Sequence, residues 1–119
     1  MKYNSTSKSR GKFDVLAATR QAQAAMMTLA PKGVSDDEIG NEHPRSEQWL
    51  FVLAGSGTAI IRSAGTETAV ALKRGSLLTI EKGELHQIRN TGRTRLRTIN
   101  FYVPPAYSTA GEVKQSVTK

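Results

Sequence analysis

Apolar residues occur along the chain in short runs that alternate with polar residues, and glycine or polar clusters interrupt these runs at regular intervals. Alternation over roughly four to eight residues is typical of half-buried strands, and evenly spaced turn signals between such runs indicate a sandwich or a barrel. The pattern therefore predicts an all-β fold with strands over residues 13–18, 23–29, 48–53, 57–62, 67–72, 76–81, 86–90 and 96–103.

A helix competes with this interpretation over residues 17–29, which contain good helix formers and neither glycine nor proline. A helix there would need a second helix or a sheet face to pack against. The alternation of Gln21 and Gln23 with Ala22 and Ala24 fits the two faces of a pleated strand. We therefore predict strand rather than helix for this stretch.

A chain of 119 residues is long enough for one domain and too short for two. We expect a flexible basic tail over residues 1–11, a β-barrel over residues 12–105, and a C-terminal tail over residues 106–119 that begins after Pro104 and Pro105. There is no cysteine, which excludes disulfides, thiolate metal sites and a cysteine nucleophile. No signal peptide or bilayer-spanning run is visible, so we expect a cytoplasmic protein without a membrane partner.

The net charge of +7 is unevenly distributed. Residues 1–12 carry basic groups and no acid, and residues 62–97 carry a second basic excess in turns and at positions that alternate with apolar neighbours. This is the pattern of a solvated strand face, and no aromatic residue lies among these positions to stack on bases. We therefore expect no nucleic-acid partner. A nucleic-acid role for the basic tail ranks last among our hypotheses, and such binding would weaken steeply with salt.

The two histidines of the chain, His43 and His86, each lie where a predicted strand meets a turn. Residues two apart in a strand share a face, so such side chains and a third on a neighbouring strand can converge inside a barrel. Asn41 and Gln48 lie on either side of the short turn that follows His43. These four side chains are the candidates for a shared pocket.

The segments around the histidines resemble the two conserved motifs of the cupin superfamily. The first motif is G-x5-H-x-H-x3,4-E-x6-G, and the chain has Asn41-Glu42-His43, four residues, Gln48, six residues and Gly55. The run from residue 47 to residue 55 is typical of small single-domain cupins.

The second motif is G-x5-P-x-G-x2-H-x3-N, and here Gly75, Gly83, His86 and Asn90 all fall in register, with Glu81 in place of proline. The resemblance extends over residues 33–105 and implies a double-stranded β-helix, also called a jelly-roll barrel.

Cupins with the full motif hold a divalent metal through three histidines and a glutamate. The resemblance assigns His43, His86 and Gln48 to this role, with Asn41 where the first histidine belongs. Amide oxygens bring no charge to offset the desolvation of an ion, so this set is weaker than the full one. Glu42 or Glu47 would restore the charge if a bulge turned it inward, but by strict alternation both face away from the pocket.

Our leading functional hypothesis is a cupin that holds Mn, Fe, Zn or Ni in the barrel pocket and binds or converts a small molecule, by dioxygenase or isomerase chemistry if it is an enzyme. The alternative is a metal-free, non-catalytic ligand-binding or sensing cupin, in which the histidines are hydrogen-bonding groups. An acidic ligand such as a sugar acid would suit the local excess of arginine. We expect no organic cofactor, because no phosphate loop or dinucleotide fingerprint is present.

The strand that carries Gln48 also predicts how the protein associates. If Gln48 points inward, Leu50 and Val52 do as well, and large apolar side chains occupy the opposite face. That face must be covered by the N-terminal strands or by a second subunit, so we expect a homodimer. The aromatic residues are expected in the core or at this interface rather than in the pocket; they are Trp49, Phe51, Phe101 and Tyr102.

Overall fold

The computed structural model describes residues 1–109 and 111–112, which form two antiparallel sheets. The strands are β1 (Phe13–Ala18), β2 (Gln23–Leu29), β3 (Glu47–Ala54), β4 (Ser56–Ser63), β5 (Thr66–Lys73), β6 (Leu77–Ile80), β7 (Leu85–Arg89) and β8 (Leu96–Val103). The predicted all-β jelly-roll fold is confirmed, and no strand end differs from its predicted position by more than one residue.

The stretch with competing helical character forms strands, as predicted, because a turn divides it. The Thr19 Oγ1 accepts hydrogen bonds from the backbone N–H groups of Gln21 and Ala22, at 3.2 and 3.3 Å. Such a side chain offers the backbone an alternative to helical bonding. Within the described residues the helical structure is limited to a 3-10 turn at Thr6–Lys8, and no helix there is long and apolar enough to cross a membrane.

The larger sheet has the strand order β1-β2-β8-β3-β6, and the smaller sheet has the order β5-β4-β7. The inner faces meet in an aliphatic core that includes Leu29, Leu50, Val52, Ile88 and Leu96, each at most 1% exposed. Burial of one such side chain contributes about 1.5–3 kcal/mol. β3 and β8 are neighbours in the larger sheet, and β7 lies in the smaller one, so polar residues at one end of these three strands face a common space.

Two residues of the cupin-like motifs have structural roles. Gly55 lies in the turn between β3 and β4 with a φ of 85°, and a side chain there would collide with the backbone oxygen of Arg95. Asn90 is buried and donates hydrogen bonds to the backbone oxygens of Leu29 and Thr94, at 2.9 and 2.8 Å. Asn90 therefore ties the end of β7 to the end of β2, which explains an asparagine at this position without any role in chemistry.

The segments directly before β1 and after β8 contact the barrel. On the outer face of the larger sheet, Arg97 Nη2 donates a hydrogen bond to the backbone oxygen of Thr6, at 2.9 Å. At the other end, Gln23 Oε1 accepts from the backbone N–H groups of Ala106 and Tyr107, at 3.1 and 3.0 Å, and Gln23 Nε2 donates to the backbone oxygen of Tyr107. The predicted boundaries of the two tails stay predictions, and residues 110 and 113–119 of the predicted C-terminal tail lie outside the described residues.

Candidate functional site

A cavity of about 230 Å³ opens between the two sheets at one end of the barrel. Its apolar wall is formed by Phe13, Met27 and Ile88 together with two tyrosines, Tyr102 and Tyr107. A water molecule in the liquid occupies about 30 Å³, so the space suits several waters or one small organic molecule. The polar wall is formed by Lys12, Ser35, Asp36, Glu42, His43, Gln48 and His86.

A chain of buried hydrogen bonds runs from His43 into the larger sheet. The His43 Nε2 lies 2.8 Å from Gln48 Oε1, Gln48 Nε2 donates to Asn100 Oδ1 at 2.8 Å, and Asn100 Nδ2 donates to Thr98 Oγ1 at 3.0 Å. Asn100 Nδ2 also lies 3.5 Å from the backbone oxygen of Ala25, which can only accept.

The Ala25 carbonyl fixes which group donates and which accepts in each hydrogen bond of this series. Because the amide nitrogen of Asn100 faces the Ala25 carbonyl, its oxygen must accept from Gln48, and the oxygen of Gln48 must accept from His43. The Nε2 of His43 therefore carries a hydrogen. A neutral ring carries one hydrogen, so Nδ1, which lies 3.4 Å from the backbone oxygen of Ser46, does not donate to it. Burial lowers the pKa of the ring, although the neighbouring Ser46 and Gln48 oxygens raise it.

Asn41 has a different role from the one the motif implies. Its Oδ1 accepts from the backbone N–H of His43 at 2.8 Å, and its Nδ2 donates to the backbone oxygen of Glu84 at 3.1 Å. It is 1% exposed and does not line the cavity. Three of the four candidate residues therefore meet at the cavity, whereas Asn41 holds the loop that carries His43 against the turn before β7.

His86 presents one ring nitrogen to the cavity. Its Nδ1 lies 3.3 Å from the backbone oxygen of Glu84 and so carries the hydrogen, which leaves Nε2 with a lone pair. No protein atom in the described part of the chain bonds Nε2, although His86 is only 8% exposed. Burial, followed by the nearby His43 ring at 5.0 Å between centroids, lowers the pKa of His86 to about 4. The ring is therefore a neutral acceptor at neutral pH.

Two carboxyl groups enter the cavity from the connection between β2 and β3. Asp36 and Glu42 both line the cavity, and Tyr107 donates its hydroxyl hydrogen to Glu42 Oε2 at 3.1 Å. Burial, followed by the neighbouring Glu42 carboxyl group, raises the pKa of Asp36 to about 7. Asp36 therefore keeps its proton up to about neutral pH.

The expectation that Glu42 faces away was wrong. It assumed strict alternation, but residues 42–46 form an irregular loop rather than a strand, so no alternation applies. Glu47 does follow the alternation of β3, and its Oε1 accepts from Trp49 Nε1 on the outer face at 3.1 Å. Asp36 lies in a polar loop without periodicity, and nothing in the sequence pattern indicated it.

Tyr102 lies in the core, as predicted for the aromatic residues, but it also lines the cavity, which was not predicted. Tyr102 is 3% exposed, lines the cavity and meets the His43 ring edge to face, with 4.9 Å between centroids. Tyr107 packs against it at 5.0 Å and against Phe13 at 4.8 Å. Burial raises the pKa of both tyrosines, so both remain protonated hydroxyls.

The arginine-rich segments do not contribute to the cavity. Within the described residues no arginine lines it, and Lys12 is the lysine at its rim. The carboxyl pair gives the polar wall an acidic character instead. The suggestion of an acidic ligand, which rested on the local excess of arginine, therefore finds no support in the cavity wall.

The predicted ligand set does not fit a resident metal ion. Gln48 uses both ends of its amide within the buried chain, and His43 directs a hydrogen at Gln48. Both ends of the Asn41 amide bond backbone groups. Among the four residues, His86 Nε2 is therefore the one atom with a lone pair free to bind an ion. Across the described residues there is no group of three or more histidine, cysteine or acidic side chains placed to hold an ion. Every fully buried side-chain nitrogen or oxygen there has a partner, whereas His86 Nε2 is accessible from the cavity.

Several solved structures share the fold of this chain. BH2720 from Bacillus halodurans superposes with a TM-score of 0.78 at 25% identity, covering 91% of this chain and 80% of that one. KdgF from Halomonas sp. superposes with a TM-score of 0.64 at 16% identity, covering 78% of this chain and 77% of that one. A predicted oxalate decarboxylase from Thermotoga maritima superposes with a TM-score of 0.64 at 22% identity, covering 78% of this chain and 79% of that one. A comparison with curated protein sequences found no match.

The sequence profile of the cupin domain matches residues 25–102, which span β2 to β8 and include both histidines. The match extends over more than half of the chain, and the strand order, the turn glycines and the paired histidines agree with it. The chain is a small single-domain member of the cupin family.

Proposed function

We propose that this cupin binds a small molecule in its barrel cavity without a metal ion. The observation that carries the proposal is the buried chain from His43 through Gln48 to Asn100, because it uses the atoms that an ion would need. The cavity nevertheless offers an apolar wall and unsatisfied acceptors, which are the features of a small-molecule site.

An ion would have to displace the hydrogen bonds of this series of side chains. Asp36 and Glu42 bring carboxyl groups to the cavity, but in the described part of the chain no three histidine or acidic side chains are placed to hold an ion together. Imidazoles and amide oxygens are neutral ligands, and the energetic cost of removing water from a divalent ion is large. The dioxygenase and isomerase hypotheses depended on such an ion, so they do not form part of this proposal. The cytoplasmic location stays a prediction.

Elemental analysis of the purified protein tests the proposal. The protein is analysed as isolated, and again after incubation with Mn²⁺, Fe²⁺, Zn²⁺ or Ni²⁺ and desalting. We expect a content far below one ion per chain in every case. The matched control is the variant Asn41→His, Gln48→Glu, which supplies the ligands of the full motif and should retain near-stoichiometric metal. A stoichiometric ion in the wild type that is lost in His43→Ala, His86→Ala would refute the proposal.

We also propose that the protein forms a homodimer through the outer face of β3 and its neighbours. Trp49 and Phe101 are register partners on this face and are each 40% exposed, and Leu77, which pairs with Phe51, is 60% exposed. The N-terminal segment contacts the same face at Arg97 of β8, and Trp49, Phe101 and Leu77 remain exposed. A second copy would cover the remaining apolar surface.

The dimer predicts that Trp49→Lys, Phe101→Lys is monomeric, because two charges placed on an apolar interface must be desolvated. Light scattering coupled to size exclusion measures the mass, with a wild-type dimer expected at micromolar concentration. The control is Thr68→Lys, Ala71→Lys on exposed positions of β5 in the other sheet, which should leave the dimer intact. A monomeric wild type, or a dimer that survives the Trp49 and Phe101 changes, would contradict this interface.

A further inference from the structure

We propose that the ligand of this cavity is a protonated amine, a small molecule whose ammonium group binds between Asp36, Glu42 and His86 while its apolar part lies against the aromatic wall. This inference rests on the proposed small-molecule function and names the chemical class of the ligand.

Apart from the exposed Lys12 at the rim and the hydroxyl of Ser35, the polar groups that face the cavity with free capacity are acceptors. His86 is more than nine-tenths buried, its Nδ1 hydrogen is used by the Glu84 carbonyl, and its Nε2 lone pair has no partner in the described chain. Asp36 and Glu42 present carboxyl oxygens at the same cavity. A ligand that donates several hydrogen bonds matches this wall. A carboxylate or phosphate would instead place its own acceptor oxygens against the acceptor atoms of the protein.

A neutral polyol also donates hydrogen bonds, so the charge of the cavity wall must decide between a polyol and an amine as the ligand. Two carboxyl groups that line one cavity repel each other when both are ionised, and the charge of Lys12 offsets this only in part, since the pKa of Asp36 stays raised. Lys12 at the rim is exposed and forms no ion pair with either carboxyl group in the described part of the chain. An ammonium group brings three N–H donors and the missing positive charge together.

The aromatic wall suits the same ligand class. Phe13, Tyr102 and Tyr107 form a cluster with ring centroids 4.8 to 6.4 Å apart, at the side of the cavity where Tyr107 bonds Glu42. Ring faces attract cations, and they also bury an apolar ligand body. An arylalkylamine is therefore a fitting probe for a cavity of about 230 Å³.

Isothermal titration calorimetry with benzylamine, benzyl alcohol and benzoate at pH 7.5 tests the inference, because the three probes share a ring and differ in charge. We expect benzylamine to bind at least about tenfold more tightly than benzyl alcohol, which corresponds to about 1.4 kcal/mol, and benzoate to show no binding. Asp36→Asn and Glu42→Gln should each weaken benzylamine about tenfold or more, since each removes a charged partner of the ammonium. The control Glu81→Gln, at an exposed position outside the cavity, should bind as the wild type does. Thermal unfolding of each variant verifies that it is folded.

Equal affinity for benzylamine and benzyl alcohol would overturn the amine inference while leaving the small-molecule function in place. Benzylamine binding that Asp36→Asn and Glu42→Gln do not change would overturn it too, because the ammonium would then lie elsewhere. If none of the three probes binds, the amine inference fails, and the metal analysis still decides the proposed function separately.

Discussion

Replacing Asn100 with leucine is expected to lower the free energy of unfolding by about 3 kcal/mol. Leucine has a similar volume but cannot accept the hydrogen bond from Gln48, whose amide nitrogen is left buried without a partner. An unsatisfied buried donor costs about 1–3 kcal/mol, and the lost bonds to Thr98 and to the Ala25 carbonyl add to this. Urea denaturation of wild type and variant measures the difference.

A double-mutant cycle with Gln48→Leu provides the control. When both partners are apolar, the penalty for the unsatisfied amide disappears, so Asn100→Leu, Gln48→Leu should lose at least about 1 kcal/mol less than the sum of the single variants. His43 Nε2 then lacks its acceptor, so the double variant remains below the wild type in stability. Strictly additive effects would show that the two amides are not coupled and that the chain does not exist as described.

Acidification from pH 7 to pH 4 is expected to remove up to about 3 kcal/mol of stability through His86 alone. The pKa of His86 is about 4 in the folded protein, against an ordinary 6.5. Between these values the unfolded chain binds a proton that the folded chain does not, so a fall in pH favours unfolding. The contribution is complete above pH 6.5 and is lost as the pH falls through the folded pKa.

The difference in stability between the wild type and His86→Gln, measured by urea denaturation from pH 7.5 to pH 4, isolates this effect. The subtraction is needed because Asp36 also titrates between pH 4 and pH 7.5. Its pKa is raised to about 7, so its contribution to the free energy of unfolding falls as the pH rises, opposite to that of His86. The wild type should lose stability relative to His86→Gln on acidification. A difference that stays constant with pH would mean that His86 is not held neutral by burial.

The fold was predictable because alternation is a local property of strands. In β3, inward Gln48, Leu50 and Val52 are buried as the pattern requires, and Trp49 on the other face is 40% exposed. β2 was harder, because its composition favours a helix. The alternation that favoured a strand includes Gln21 and Ala22, which lie in the turn before β2, so the strand was predicted correctly on partly mistaken grounds. The histidines and Gln48 were found by their motif positions, which the strand ends carry to one cavity.

The rest of the site could not be read from spacing. Asp36 and Glu42 lie on an irregular loop, whose path depends on tertiary contacts such as the bond from Gln87 Nε2 to the Asp36 carbonyl. Tyr107 reaches the cavity only because Gln23 binds the backbone of the segment after β8. Asn100 carried one usable signal, since an amide at an inward position of a strand must find a buried partner.

Gln23 binds the segment after β8 through three hydrogen bonds to its backbone, and this has a consequence for how ligands differ among related barrels. The wall contributed by Lys12, Phe13 and Tyr107 lies outside residues 25–102, the part that the chain shares with the family. Two proteins could keep the same barrel, histidines and turns and still present different walls to a ligand, according to what precedes and follows the shared strands. Alignments confined to the common barrel would then group proteins by architecture and omit residues that determine which molecule binds. Comparison of the flanking segments is therefore the more informative guide to ligand preference.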